Sequence, residues 1–208
     1  SLHKEKFEIV SASSMAYCKL SGTVYEGGKV ELRIEFTDPE LDDATIATFS
    51  SYGFYPENFV SIGMMAFYEC TNLASITIPN SVFSIGLGAF AYCTSLNEIT
   101  ISEDVASIDF GAFMETAWYN NLPDGAIYIN DMLYEYKGAM PENTEFILKE
   151  GTKSISMGAF SACGSCLASV TIPESVSWIG AGAFSACDSL KEVWCYAPTP
   201  PTLLNHVL

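Results

Sequence analysis

Basic side chains are scarce in this chain: nine Lys and Arg stand against 25 Asp and Glu, for a formal net charge of −16. A chain so acidic repels phosphate backbones and anionic headgroups, which argues against nucleic acid and against anionic membranes as partners. The charge favours solubility, basic protein partners or divalent cations. Histidine is scarcer still, with His3 and His206 near the two termini. A Ser-His or Cys-His nucleophile pair in the body of the chain therefore lacks its base, and a four-ligand zinc site has little to draw on. No apolar run is long enough to span a bilayer, so membrane insertion is not expected, and no N-terminal targeting pattern is present. The latter is weak evidence against export, because Ser1-Leu2-His3-Lys4 can also be read as the start of a processed or recombinant mature chain. Walker and dinucleotide glycine loops are also missing; Gly86-Leu87-Gly88 and Gly180-Ala181-Gly182 belong to a repeated turn. No calcium loop of the D-x-[DN]-x-[DN]-G type supports a calcium-dependent adhesin.

What the chain does have is repetition. One phrase begins at Ile62, Ile85, Ile155 and Ile179, and in broken form at Ile108, with intervals of 23, 23, 47 and 24 residues. A fixed short period is the mark of a stacked-repeat architecture. The first copy reads Ile62-Gly63-Met64-Met65-Ala66-Phe67, then Cys70, Leu73, Ile76, Ile78 and Pro79; the second restates it with Ile85, Gly86, Ala89, Phe90, Cys93, Leu96, Ile99 and Ile101. The long interval is two repeats, one disguised, with a start near residue 132 and with Phe146 and Leu148 standing where Ile76 and Ile78 stand in the first copy. Copy three loses its cysteine (Ala112-Phe113 to Ala117-Trp118), and residues 126–138 read as a β-hairpin inserted around Asn130-Asp131.

Each repeat translates into local structure. In Leu-x-x-Ile-x-Ile the alternate residues share one face of a short strand, so Ile76/Ile78, Ile99/Ile101, Val170/Ile172 and Val193/Cys195 are expected to point inward. Phe, Cys and Leu spaced by three read as a short helical or 3₁₀ turn with one buried stripe. Pro79 and Pro173 stop their strands, since proline cannot donate to a ladder. One such unit cannot bury its own apolar residues, and stacking on neighbours does so.

The phrase Ile-Gly-x-x-Ala-Phe-x-x-Cys-x-x-Leu-x-x-Ile-x-Ile-Pro resembles the leucine-rich repeat variant of bacterial surface proteins related to BspA, met also in treponemes and some mucosal protozoa. The likeness runs from about Val60 to Pro201 and includes the break at Thr116-x-Trp118 and the run Ala197-Pro198-Thr199-Pro200-Pro201. It implies an α/β repeat solenoid: a right-handed leucine-rich repeat with a parallel concave sheet and short convex helices. It also implies an exported or surface-anchored protein, extracellular or at the cell surface, of a kind implicated in adhesion to host matrix proteins or to other cells.

Ahead of the repeats, Cys18–Val24 and Val30–Phe36 are alternating runs joined through Glu26-Gly27-Gly28-Lys29, which reads as a hairpin. Residues 1–45 are read either as an N-terminal β-hairpin cap on the stack or as a remnant of a separate β domain, with Asp38 to Asp43 a turn into the repeats. Residues 46–208 form the repeat domain, with starts near 62, 85, 108, 132, 155 and 179 and a C-terminal cap over 196–208.

Seven cysteines exclude a fully paired disulfide framework. Cys70, Cys93, Cys163 and Cys187 share one repeat position and are expected to form a buried ladder of small apolar side chains. Cys163-Gly164-Ser165-Cys166 has the spacing of a redox dithiol or of half a zinc site, yet lacks both a second pair and the strand-to-helix setting that lowers a thiol pKa; a disulfide between these two, or between adjacent rungs, stays open. The carboxylate pairs Glu103-Asp104 and Glu142 with Glu145 lie in turns, with no opposed partner across a cleft. No catalytic residues, cofactor or metal site are expected.

A surface remains. The outward strand positions are Ser75 and Thr77, Glu98 and Thr100, Tyr128 in the hairpin, Glu145 and Ile147, Ser169 and Thr171, Glu192 and Trp194. Thr77, Thr100, Tyr128, Thr171 and Trp194 are the candidate binding residues on the concave face, although threonine is also simply a good exposed strand residue. Tyr119, Tyr134 and Tyr136 form a second candidate patch, with packing of the hairpin on itself as the alternative. The sequence thus points to a monomeric, non-catalytic module that binds an extracellular protein or glycan, host matrix included. The alternative is a structural spacer or assembly subunit of a larger surface protein.

Overall fold

The computed structural model describes residues 5–10, 18–24, 29–36, 60–78, 80, 82–161 and 163–203, with side chains from Ser61 onward. Pro79, Glu26-Gly27-Gly28, the turn Asp38 to Asp43, both histidines and the boundary near residue 45 lie outside the described residues. The chain separates into two compact units, Ser1–Val105 with Phe113–Asn120, and Ala106–Ala112 with Asn121–Leu208.

The first unit holds β1 (Glu5–Val10), β2 (Cys18–Val24), β3 (Lys29–Phe36), β4 (Val60–Ile62), β5 (Ser75–Ile78), β6 (Val82–Ile85) and β7 (Glu98–Ile101). β1, β2 and β3 pair antiparallel in sequence order, with Leu20 opposite Ile34. β3 then lies parallel to β5, Val30 opposite Ile76, and β5 lies parallel to β7, Ile76 opposite Ile99. β4 and β6 form a second parallel pair that aligns the starting residues Ile62 and Ile85. Each of these two repeats therefore contributes one strand to an Ile-x-Ile sheet and another to a sheet at the repeat start.

The second unit repeats this plan with β8 (Ser107–Ile108), β9 (Gly125–Ile129), β10 (Met132–Lys137), β11 (Thr144–Ile147), β12 (Ser154–Ile155), β13 (Leu167–Ile172), β14 (Trp178–Ile179), β15 (Glu192–Cys195) and β16 (Thr202–Leu203). Leu133, Ile155, Ile179 and Leu203 stand in line across β10, β12, β14 and β16. The disguised repeat is thus a full one. β10 is at once the second strand of the hairpin, antiparallel to β9, and a rung of the repeat-start sheet. In the other sheet Phe146, Val170 and Val193 align across β11, β13 and β15. β13 ends at Ile172, immediately before Pro173.

Outside copy three, the chain between the two strands of a repeat turns without forming a helix among the described residues. Short convex helices were expected there. Among the described residues the one helix is instead Ala117–Asn121, in the break of copy three, begun by Thr116, whose Oγ1 accepts from the Tyr119 amide at 3.0 Å. Elsewhere the Gly-x-x-Ala-Phe-x-x-Cys segments are successive turns closed by bonds three residues apart, such as Ala66 N to Gly63 O, Tyr68 N to Met65 O and Cys70 N to Phe67 O. Left-handed residues at two positions of the repeat prevent helical propagation. One position holds Met65, Gly88, Gly111, Gly158 and Gly182, all with φ between 55° and 66°; the other holds Glu69, Tyr92, Glu115 and Ala186, with φ between 58° and 61°. The turns also bond between repeats, Phe67 N to Ala89 O at 2.7 Å and Phe160 N to Ala183 O at 2.8 Å, and Tyr136 N reaches Ala159 O in the same way.

Met65 is the exception at a position that glycine otherwise fills, and its side chain is half exposed. Replacing it by glycine should relieve the left-handed strain and raise stability by about 1 kcal/mol, read as a shift in the urea midpoint without a change in slope. A loss of stability would show that the Met65 side chain contributes more than its backbone costs.

The interior is a set of ladders. Phe67, Phe90 and Phe113 stack almost parallel with centroids 5.0 and 5.6 Å apart, and Phe160 stacks on Phe184 at 5.3 Å. In the disguised repeat the ring of Phe146 meets Phe160 and Tyr136 edge-on. Ile76, Ile78, Val170 and Ile172 are buried as the alternation requires. Val193 and Cys195, expected inward, are exposed, because β15 is the last strand of its sheet and no rung covers it among the described residues.

Candidate functional site: the outward faces of the Ile-x-Ile sheets

Alternation that sends Ile76 and Ile78 inward sends Ser75 and Thr77 outward, and register sets the outward residues of successive strands side by side. In the first unit Ser75 stands beside Glu98 and Thr77 beside Thr100, both threonines exposed. In the second unit two rows cross β11, β13 and β15: Glu145, Ser169 and Glu192, then Ile147, Thr171 and Trp194. Ile147 is 70% and Trp194 55% exposed. The indole N–H of Trp194 donates to a carboxylate oxygen of Glu192 at 3.2 Å.

Thr171 and Trp194 are thus direct neighbours, and so are Thr77 and Thr100. Tyr128 stands apart. The hairpin joins the repeat-start sheet through Leu133, so Tyr128 belongs to a different sheet from β11, β13 and β15. There its hydroxyl accepts from the Lys149 amide at 3.0 Å, and the Lys149 ammonium lies 5.9 Å from its ring centroid. Of the second candidate patch, Tyr134 is buried and Tyr136 packs edge-on against Phe146, so this part of the hairpin packs on the protein itself. Ile147 was absent from the candidate set. Its signal was an isoleucine in the outward slot, between Phe146 and Leu148, where Thr77, Thr100 and Thr171 stand in other strands.

The thiols are arranged for structure. Cys93 donates its S–H to the Phe67 carbonyl at 2.9 Å, and Cys187 to the Phe160 carbonyl at 3.5 Å, so each thiol reaches back to the preceding repeat. Cys93, Cys163 and Cys187 are buried, whereas Cys70, which has no earlier described repeat to reach, is exposed. Cys163 and Cys166 are free thiols. Burial pushes the Cys93 thiol up to about 11 and the Cys163 thiol up to about 12, the nearby Cys187, Cys166 and Glu135 adding to the latter. These are poor nucleophiles, in keeping with a buried ladder. The unfolded chain releases these protons from about pH 9, the ordinary thiol value, while the folded chain holds them. Stability contributed by the neutral thiols is therefore complete below pH 9 and lost as pH rises toward 11 and 12. At pH 8 native protein should be alkylated by iodoacetamide at Cys70 and Cys195 and spared at Cys93 and Cys163 until denaturant is added; native-state labelling of the latter two by mass spectrometry would contradict the ladder.

No group of three or more His, Cys, Asp or Glu side chains able to hold a metal occurs among the described residues. Glu103, Asp104, Glu142 and Glu145 are exposed, as carboxylates in solvated turns and strand edges are. Asp131 is held below the usual carboxylate range by its exposed ion pair with Lys153 at 2.8 Å. No helix among the described residues is long and apolar enough to cross a membrane.

The family model described as "BspA type Leucine rich repeat region" matches this chain in six copies, over residues 50–140 and 119–199. Among solved structures the chain is similar to a leucine-rich repeat protein of T. pallidum, at 25% identity over 80% of this chain and 63% of that one, with a TM-score of 0.35. It is similar also to a leucine-rich repeat protein of Bacteroides ovatus, at 26% identity over 93% and 40% of the two chains and a TM-score of 0.34. A leucine-rich cell surface protein of Faecalibacterium prausnitzii matches at 22% identity over 94% and 56%, with a TM-score of 0.34. The chain spans less than two thirds of each of these three proteins. No curated protein matches it.

Proposed function

The chain belongs to the BspA-type leucine-rich repeat family, whose members are generally protein-interaction or surface modules, and from that premise we propose that it is a non-catalytic surface module that binds an extracellular protein or glycan through the outward faces of its Ile-x-Ile sheets. In this reading those sheets form the concave side of a right-handed solenoid, and the N-terminal hairpin, paired through β3 to β5, caps the stack. The observation that carries the reading is the row Ile147, Thr171 and Trp194, which sets two large exposed apolar side chains on a rigid strand framework. Aromatic anchors on rigid scaffolds dominate interface energetics. The strands beneath this row, with Leu148, Val170 and Ile172 buried, hold it in place at no cost in loop ordering.

The test is capture from extracellular matrix and mucosal extracts by wild-type protein and by a folded Trp194→Ala, Thr171→Arg double variant at physiological salt. Loss of a captured protein or glycan by the variant is the expected result, by a factor of about 30 or more in affinity for a buried aromatic anchor. Equal capture by both would remove the second-unit face from the account. A second reading, a spacer or assembly subunit, draws on the full exposure of β15, an open strand edge suited to self-association. It predicts concentration-dependent dimers by sedimentation, whereas the binding module sediments as a monomer.

A further inference from the structure

We propose that the second-unit face is specific for a cationic side chain of its partner, an arginine, held between Glu145 and Glu192 with its stem and guanidinium plane against Trp194. This rests on the binding role of that face and names what it binds. The two carboxylates occupy outward positions on the outer strands of a three-stranded parallel sheet, with Ser169 between them on the middle strand. Strand spacing puts their backbones roughly 10 Å apart on either side of a small hydroxyl, and the Glu192 carboxylate lies against the Trp194 indole. Neither carboxylate has a cationic partner among the described residues; the ion pair there joins Lys153 to Asp131.

The second row lies two residues further along each strand, about 6.6 Å away. There Ile147 and Trp194 flank Thr171, so two exposed apolar side chains stand on either side of a smaller residue. The bond from the Trp194 indole to Glu192 sets ring and acid side by side. An aliphatic stem lying between these two side chains along the strand direction brings a terminal charge toward Ser169. A planar guanidinium in particular can face an indole and pair with a carboxylate together, which an ammonium on a flexible stem does less well. The net charge of −16 draws such a partner in, and the two rows decide where it docks. The first-unit face lacks this combination, since its rows are Ser75 with Glu98 and Thr77 with Thr100.

The experiment uses the whole chain and three amidated peptides, tetra-arginine, tetra-lysine and tetra-citrulline, with binding read by calorimetry at physiological salt. Tetra-arginine is expected to bind, tetra-lysine about threefold or more weaker, and tetra-citrulline not to bind. A Glu145→Gln, Glu192→Gln variant should weaken tetra-arginine about tenfold, while the charge-matched Glu103→Gln, Glu174→Gln variant stays within about twofold. Equal weakening by the two pairs would show only the diffuse field of an acidic protein and would overturn the site. Absence of tetra-arginine binding, or equal binding of tetra-lysine, would overturn the arginine assignment. If the extract ligand is lost by Trp194→Ala, Thr171→Arg and retained by Glu145→Gln, Glu192→Gln, the binding face stands and the cation site falls.

Discussion

Replacing Gly180 by alanine should destabilise the second unit by about 3 kcal/mol or more, while Gly63→Ala should leave stability within about 0.5 kcal/mol of wild type. The two glycines occupy the same place in the repeat, directly after the starting isoleucine, and their surroundings differ. A Cβ on Gly180 would lie 2.4 Å from the backbone nitrogen of Met157 and 2.7 Å from the carbonyl carbon of Ser156, whereas one on Gly63 would meet nothing within 4 Å among the described residues. The close approach follows from the hydrogen bond Gly180 N to Ile155 O at 2.8 Å, which clamps one repeat on the one before it. Backbone cannot give way as a side-chain tip can, so the substitution must lengthen that bond or tilt a whole rung. Gly86, bonded to Ile62 O and 2.8 Å from the Met64 nitrogen by the same measure, should behave as Gly180 does. Thermal or urea unfolding of the three variants checks this, and a tolerated Gly180→Ala would mean that the repeats stand further apart than described.

Phe90→Ala is the second large effect, with an expected loss of about 4 kcal/mol. The ring is fully buried and stacks on Phe67 on one side and Phe113 on the other. Its removal opens a cavity in the middle of a ladder and deletes two ring contacts at once. In a stack whose stability is a sum of nearest-neighbour interfaces, a central rung counts twice. Phe110→Ala should cost far less, because that ring is 37% exposed. A urea titration in which the two variants lose equal stability would contradict the ladder. A biphasic Phe90→Ala transition would agree with it, since weakening one interface of a repeat array can uncouple its parts.

Much of the fold was legible because the repeat writes the same physical instruction several times. Ile76 and Ile78 told their burial by alternation, and the disguised strand at Phe146 and Leu148 was recoverable from spacing; Phe146 does pair with Val170. The turns were less legible. Glycine at 88, 111, 158 and 182 signals a left-handed residue, but Met65, Glu69 and Tyr92 adopt the same conformation with nothing in their chemistry to announce it, and without that knowledge spacing by threes reads as helix. Leu203 was hidden for a related reason. No Gly-x-x-Ala-Phe follows it, so the segment read as a cap, although its backbone continues the line from Ile179. At the candidate site, the outward positions of Thr77, Thr100, Thr171 and Trp194 followed from period two alone. The displacement of Tyr128 did not, because it depends on which sheet the hairpin joins, and that is decided by Leu133 pairing with Ile155.

The binding account is tested most directly by amide hydrogen exchange on the chain alone and in complex with whatever the extracts deliver to it. Added protection concentrated in Thr144–Ile147, Leu167–Ile172 and Glu192–Cys195 is the predicted result. Protection confined to the hairpin Gly125–Lys137, or absent from all three strands, would contradict it.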